Sequence, residues 1–182
     1  MAKDHDPSKS EPAEIDPTLP EMVQNFLRGG GKLEEIRLDG NGTWLHEGLR
    51  FENARVVQLF SRSVDRTEGG TWVLNVGRFT YPIVVDDVGF FVDRADWEAT
   101  PPRIFLSDGS EEDLTTEGLR YTEGGRLYCP IKNGRFEARF KRSVYHAIAD
   151  YLVEDDEGYL LRLPAGDLRL HDDLADPDAS KK

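Results

Sequence analysis

The residues best suited to chemistry lie between Lys132 and His146. Lys132, Arg135, Arg139, Lys141 and Arg142 surround the single acid Glu137, in a chain whose net charge is -12. From Gly134 to Phe140 the residue types alternate. Phe136, Ala138 and Phe140 fall on one strand face, and Arg135, Glu137, Arg139 and Lys141 fall on the other. Arginines at alternate strand positions project to one side, and their planar forks match the oxygens of carboxylate or phosphate. Tyr145 and His146 follow on the next element. Arg135, Arg139, Lys141, Arg142, Tyr145 and His146 are therefore candidates for binding a small anion or an acidic or phosphorylated protein. The competing outcome is internal pairing with Glu111, Glu112, Asp113 or the acidic run from Glu154 to Glu157, which would neutralise the cluster.

Other patterns fall short of their chemistry. Gly29-Gly30-Gly31-Lys32 lacks the spacing of a phosphate loop, and Leu33 stands where a hydroxyl is needed. Asp39, Asn41 and Thr43 imitate the start of a calcium loop, but Trp44 and Arg50 occupy its glycine and glutamate positions. His5, His46, His146 and His171 include no pair at metal-binding helical spacing, so no metal and no cofactor is expected. Adjacent Asp86 and Asp87 would point to opposite faces of a strand and fit a turn better than an acid–base pair. Cys129 has His146 as its one plausible partner, and nothing in the sequence joins them. No catalytic residue is assigned.

Composition sets broad bounds. The chain has 182 residues, 38% hydrophobic and 32% charged. It can build one sizeable core. A single cysteine excludes an internal disulfide and suits a reducing, cytoplasmic setting. The acidic balance argues against nucleic acid and anionic membranes as partners. No apolar run reaches the length of a membrane span, and the first twenty residues are too polar for a signal peptide.

The elements that would position the basic strand can be read in outline. Residues 1–19 and 171–182 read as acidic tails that join no core, leaving one domain over 20–170. A short helix from Pro20 to Leu27 stops at Gly29-Gly30-Gly31. Ile36 to His46 reads as a hairpin turning at Asp39-Gly40-Asn41-Gly42. Asn53 caps a helix whose apolar stripe includes Val57 and Phe60. Strands follow at Thr71 to Asn75, Phe79 to Val85 and Gly89 to Asp93, then a joint at Pro101-Pro102 and a strand at Arg103 to Leu106. After the basic strand, Val144, Ile148 and Leu152 mark a second buried helix face. Tyr159 to Leu163 and Asp167 to Leu170 read as a closing hairpin. Gly48-Leu49-Arg50-Phe51-Glu52 matches Gly134-Arg135-Phe136-Glu137, and each leads into an amphipathic helix, an acidic Gly turn and an aromatic strand start. The expected fold class is α+β, with two repeated β-plus-α units at about 33–100 and 101–170.

Several segments carry a family resemblance. They are Ile-Arg-Leu-Asp-Gly-Asn-Gly-Thr-Trp from Ile36, Val-Val-Gln-Leu-Phe from Val56, Val85-Asp86-Asp87-Val88-Gly89-Phe90 and Glu137 to Tyr145. In this order they resemble a bacterial family of uncharacterised proteins, domain of unknown function 1285, over about Leu33 to Leu170. The resemblance implies a fold of repeated β-plus-α motifs and, for function, a suggested role in signal transduction. The sequence as a whole favours a noncatalytic binding or regulatory module. The alternatives are an enzyme with its site between the halves and a structural interaction protein.

Overall fold

The computed structural model of the chain describes residues 15–115, 119–122, 125–164 and 166–172. Helix α1 (Glu21–Arg28) ends as expected, with Gly30 at φ +80° reversing the backbone. Strands β1 (Ile36–Leu38) and β2 (Trp44–His46) form the expected hairpin, which sets Leu38 opposite Trp44. Asp39 closes its turn, since one carboxylate oxygen accepts the Asn41 and Thr43 N–H groups, both at 2.8 Å. This is the segment that resembled a calcium loop.

β3 (Leu49–Arg50) pairs with β2. The Asn53 side chain then accepts from the N–H of Arg55 at 3.0 Å and so caps α2 (Ala54–Ser63). β4 (Val64–Arg66), β5 (Trp72–Val76) and β6 (Phe79–Pro82) make an antiparallel meander, and β7 (Val84–Val85) returns parallel to β1.

A second meander follows, built from β8 (Phe90–Asp96), β9 (Arg103–Leu106) and β10 (Glu111–Asp113). Next come β11 (Arg120–Thr122), β12 (Arg126–Ile131) and β13 (Phe136–Phe140), each antiparallel to its neighbour. β13 also runs parallel to β8. Helix α3 (Arg142–Ile148) leads through a short turn into the meander β14 (Leu152–Asp155), β15 (Gly158–Leu163) and β16 (Gly166–Arg169). β17 (His171–Asp172) closes parallel to β11. The chain is thus α+β, and its described residues are mostly strand with three α-helices. Its larger sheets run β3-β2-β1-β7 and β10-β9-β8-β13-β12-β11-β17.

One hydrophobic cluster reaches from Leu38 to Leu170 and takes in Trp44, Phe90, Phe91, Phe136, Phe140 and Leu161. Val144 and Ile148 are buried in it as expected. Val57, Phe60 and Leu152 pack against it but stay half-buried. The α2 residues do so because that helix rests on β5 along one side, and among the described residues none of its own is fully buried.

Described contacts also reach into both expected tails. Leu19 is buried, and Asp16 accepts a hydrogen bond from the Thr67 hydroxyl at 2.5 Å. At the other end, β17 belongs to the large sheet. The remainder of the expected tails, residues 1–14 and 173–182, lies outside the described residues.

Candidate functional site

β13 occupies an interior position in its sheet, between β8 and β12. Its second face is covered as well, and Arg139 is buried at 9% exposure instead of lying on an open outer face. The covering comes from far away in sequence. The Gly40 backbone lies close to Nη1 of Arg139, and Asp87 reaches the same nitrogen with Oδ2 at 2.6 Å. The Tyr128 hydroxyl donates to the Asp87 carboxylate at 3.1 Å, and the Arg139 guanidinium sits 5.3 Å from the Phe91 ring centre. Asp86 faces away and pairs with Arg37. The two adjacent carboxylates thus serve separate arginines, as expected of neighbours pointing opposite ways.

The other basic residues divide into paired and unpaired groups. Arg135 pairs with Asp65 at 2.7 Å and lies over the Phe136 ring. Lys141 pairs with Asp93 at 2.6 Å. Lys132 pairs with Asp108 at 2.8 Å, and its N–H donates to Glu112 at 2.9 Å. Burial raises the Asp108 pKa, but the bonds from Lys132 and Ser110 outweigh burial and leave it lowered. These pairings occur with acids the sequence did not single out, apart from Glu112.

Arg139, Arg142, Tyr145 and His146 come together in one open recess of about 420 Å³, completed by Asn41 and Arg126. Arg142 begins α3 and donates Nε–H to Nε2 of His146 at 3.3 Å, one helical turn further on. That bond makes Nε2 an acceptor and places the proton of a neutral imidazole on Nδ1. Arg126 enters from the start of β12, beside Gly125 at φ +71°. Among the described residues, neither Arg126 nor Arg142 has a carboxylate within ion-pair distance. Arg135 and Lys141 do not line the recess. Sequence reasoning missed Arg126 and Asn41, because the strands from 120 to 131 carry no clean alternation and the Asn41 turn is distant in the chain.

Beside the recess lies a partly open cavity of about 120 Å³, walled chiefly by Tyr121, Leu127, Tyr145, Ile148, Tyr159 and Leu161. Tyr145 borders both spaces. Its ring stacks on Tyr121 with centres 6.2 Å apart, and the hydroxyls meet at 3.4 Å. The bond to Tyr121, followed by burial, pushes the Tyr145 pKa up to about 12. Cys129 is fully buried on the neighbouring strand, and burial pushes its thiol up to about 12, which leaves it unreactive at neutral pH.

No helix among the described residues is long and apolar enough to cross a membrane. No protein-family model and no curated protein matches the sequence. Two crystal structures are similar in fold. One is a DUF1285 family protein from Silicibacter pomeroyi DSS-3, with TM-score 0.57 and 18% identity, covering 74% of this chain and 78% of that one. The other is a DUF1285 family protein from Shewanella baltica OS155, with TM-score 0.50 and 16% identity, covering 65% of this chain and 92% of that one. At such identities the likeness is one of fold alone; both structures come from the family that the sequence motifs resemble. The chain has the fold of DUF1285 family proteins.

Proposed function

We propose that the protein is a noncatalytic anion-binding module and that the recess lined by Arg126, Arg139, Arg142, Tyr145 and His146 is its site. The observation that carries this reading is the pair Arg126 and Arg142, held in one recess without a carboxylate partner among the described residues. Arg139 adds a third guanidinium, although Asp87 offsets its charge. Guanidinium forks favour carboxylate and phosphate over simple halides. An anion bound there would bridge the Asn41 turn to the start of α3, and that bridge is a route to the regulatory role in signal transduction that the family resemblance implies. A cytoplasmic setting fits the buried, free Cys129.

The reading places the recess where two β-plus-α units meet within one domain. The connectivity supports this. β1-β2-β3, α2, the meander β4-β5-β6 and β7 follow the same order as β11-β12-β13, α3, the meander β14-β15-β16 and β17. β7 returns parallel to β1 as β17 returns parallel to β11. On this alignment the units run about 36–85 and 120–172, with β8 to β10 between them. Arg50-Phe51 then corresponds to Arg139-Phe140, because Arg50 stands opposite Leu45 as Arg139 stands opposite Tyr128. The sequence match had placed it at Arg135-Phe136.

Calorimetric titration with inorganic phosphate and with acetate tests the function. Saturable binding that weakens with ionic strength and is lost in an Arg126→Ala/Arg142→Ala variant supports it. An unchanged titration in that variant, or no binding by the wild-type protein, overturns it.

A further inference from the structure

The cavity behind Tyr145 has a counterpart that is filled. Leu38 stands opposite Trp44 across β1 and β2, and Tyr121 stands opposite Leu127 across β11 and β12. Phe60 lies four residues before Val64, which pairs with Leu74; Ile148 lies four residues before Leu152, which pairs with Leu161. In the first set Trp44 is 2% exposed and meets Phe60 edge-on at 5.4 Å, so two large rings occupy the interior. In the second set the corresponding residues are Leu127 and Ile148. Both are smaller, and the cavity is the space left between them, Tyr145 and Tyr159. Native interiors seldom leave gaps much larger than a water molecule, because an unfilled void forfeits the contacts of every atom lining it.

We propose, on the basis of the anion-binding reading above, that the cavity receives the apolar end of the same ligand. The ligand class is then a carboxylate or phosphate carrying one phenyl-sized or short branched alkyl group. Its charged head lies on Arg126 and Arg142, and its apolar end lies among Leu127, Ile148 and Leu161.

Size limits the apolar group. A dry protein cavity of about 150 Å³ accepts benzene, and this one, at about 120 Å³, admits a group no larger. Tyr145 joins the two spaces, because it lines both and sits where the recess around Arg126 passes the strand end to reach the side of β12 on which Leu127 is buried. Tyr145 is half-buried and held by its stacking on Tyr121 and by one hydroxyl contact of 3.4 Å, long for a pair of hydroxyls, so an entering group displaces it at the cost of that contact and part of the stacking.

Titration with phenyl phosphate beside inorganic phosphate tests the proposal. Wild-type protein binds phenyl phosphate roughly tenfold tighter, the order expected for burying a small apolar group. Leu127→Trp restores the Trp44 arrangement and fills the cavity. It removes the gain and leaves phosphate binding unchanged. Ile148→Phe is the second filling variant, should the tryptophan disturb folding, and near-ultraviolet circular dichroism checks both. Equal affinity for the two probes in wild-type protein overturns the inference, as does a gain that survives in a folded cavity-filled variant. Either result leaves the anion reading standing if phosphate still binds. Loss of all phosphate binding in wild-type protein refutes both.

Discussion

Removing the Arg139 guanidinium tests whether that residue holds the two sides of the recess together. Its side chain is 11% exposed and that of Asp87 is 18% exposed. Arg139→Ala strands the Asp87 carboxylate in this poorly solvated place, with the Tyr128 hydroxyl as its remaining donor. Breaking a buried ion pair from one side costs about 3–5 kcal/mol. The surviving Tyr128 bond and the partial exposure of Asp87 put the cost at the lower end, about 3 kcal/mol. In a chain of this size each kcal/mol lowers the melting temperature by about 2–4 °C, so the variant melts about 6–12 °C lower. Adding Asp87→Leu removes the stranded charge and recovers part of the loss. Thermal denaturation followed by circular dichroism measures both variants. A melting temperature for Arg139→Ala within about 2 °C of wild type would refute the reasoning, because an exposed pair of little worth behaves that way.

Three further outcomes follow from the packing and the charges. Phe60→Ala costs about 2–3 kcal/mol in denaturant melts, less than a fully buried phenylalanine, because Phe60 is half-buried while meeting Trp44 and Phe51 edge-on. Gly89→Ala puts a methyl carbon 2.6 Å from the Trp72 ring and 2.8 Å from a Val64 methyl, so equilibrium denaturation shows a loss of about 1–3 kcal/mol. Asp155 is held down to about 2, against an ordinary 3.8, chiefly by the fork to Arg169. Its contribution to stability is therefore complete above 3.8 and lost as pH falls towards 2, and Asp155→Asn flattens that part of an acid melting series.

Local signals in the sequence located elements well and placed their outer surfaces poorly. Asn53 announced α2, the Asp39 turn announced the first hairpin, and the Val144 and Ile148 stripe marked the buried side of α3. β12 escaped notice because Cys129-Pro130 interrupts its alternation, and a proline in a strand suppresses the pattern that marks one. The basic strand shows the limit most clearly. Alternation fixed which side Phe136 and Phe140 take, but the opposite side depends on what packs there. That covering comes from Gly40 and Asp87, and no local pattern encodes such contacts. For the same reason Arg139, Arg142, Tyr145 and His146 were legible as candidates, whereas Arg126 and Asn41 became neighbours only through folding.

Phosphate titration of isotope-labelled protein, followed through backbone amide shifts, tests the central claim most directly. The account predicts saturable shifts confined to Asn41, Arg126, Arg142, Tyr145 and His146 and their neighbours, and their disappearance in Arg126→Ala/Arg142→Ala. Shifts centred on other arginines such as Arg62 or Arg103, or no saturable shift at all, would contradict it.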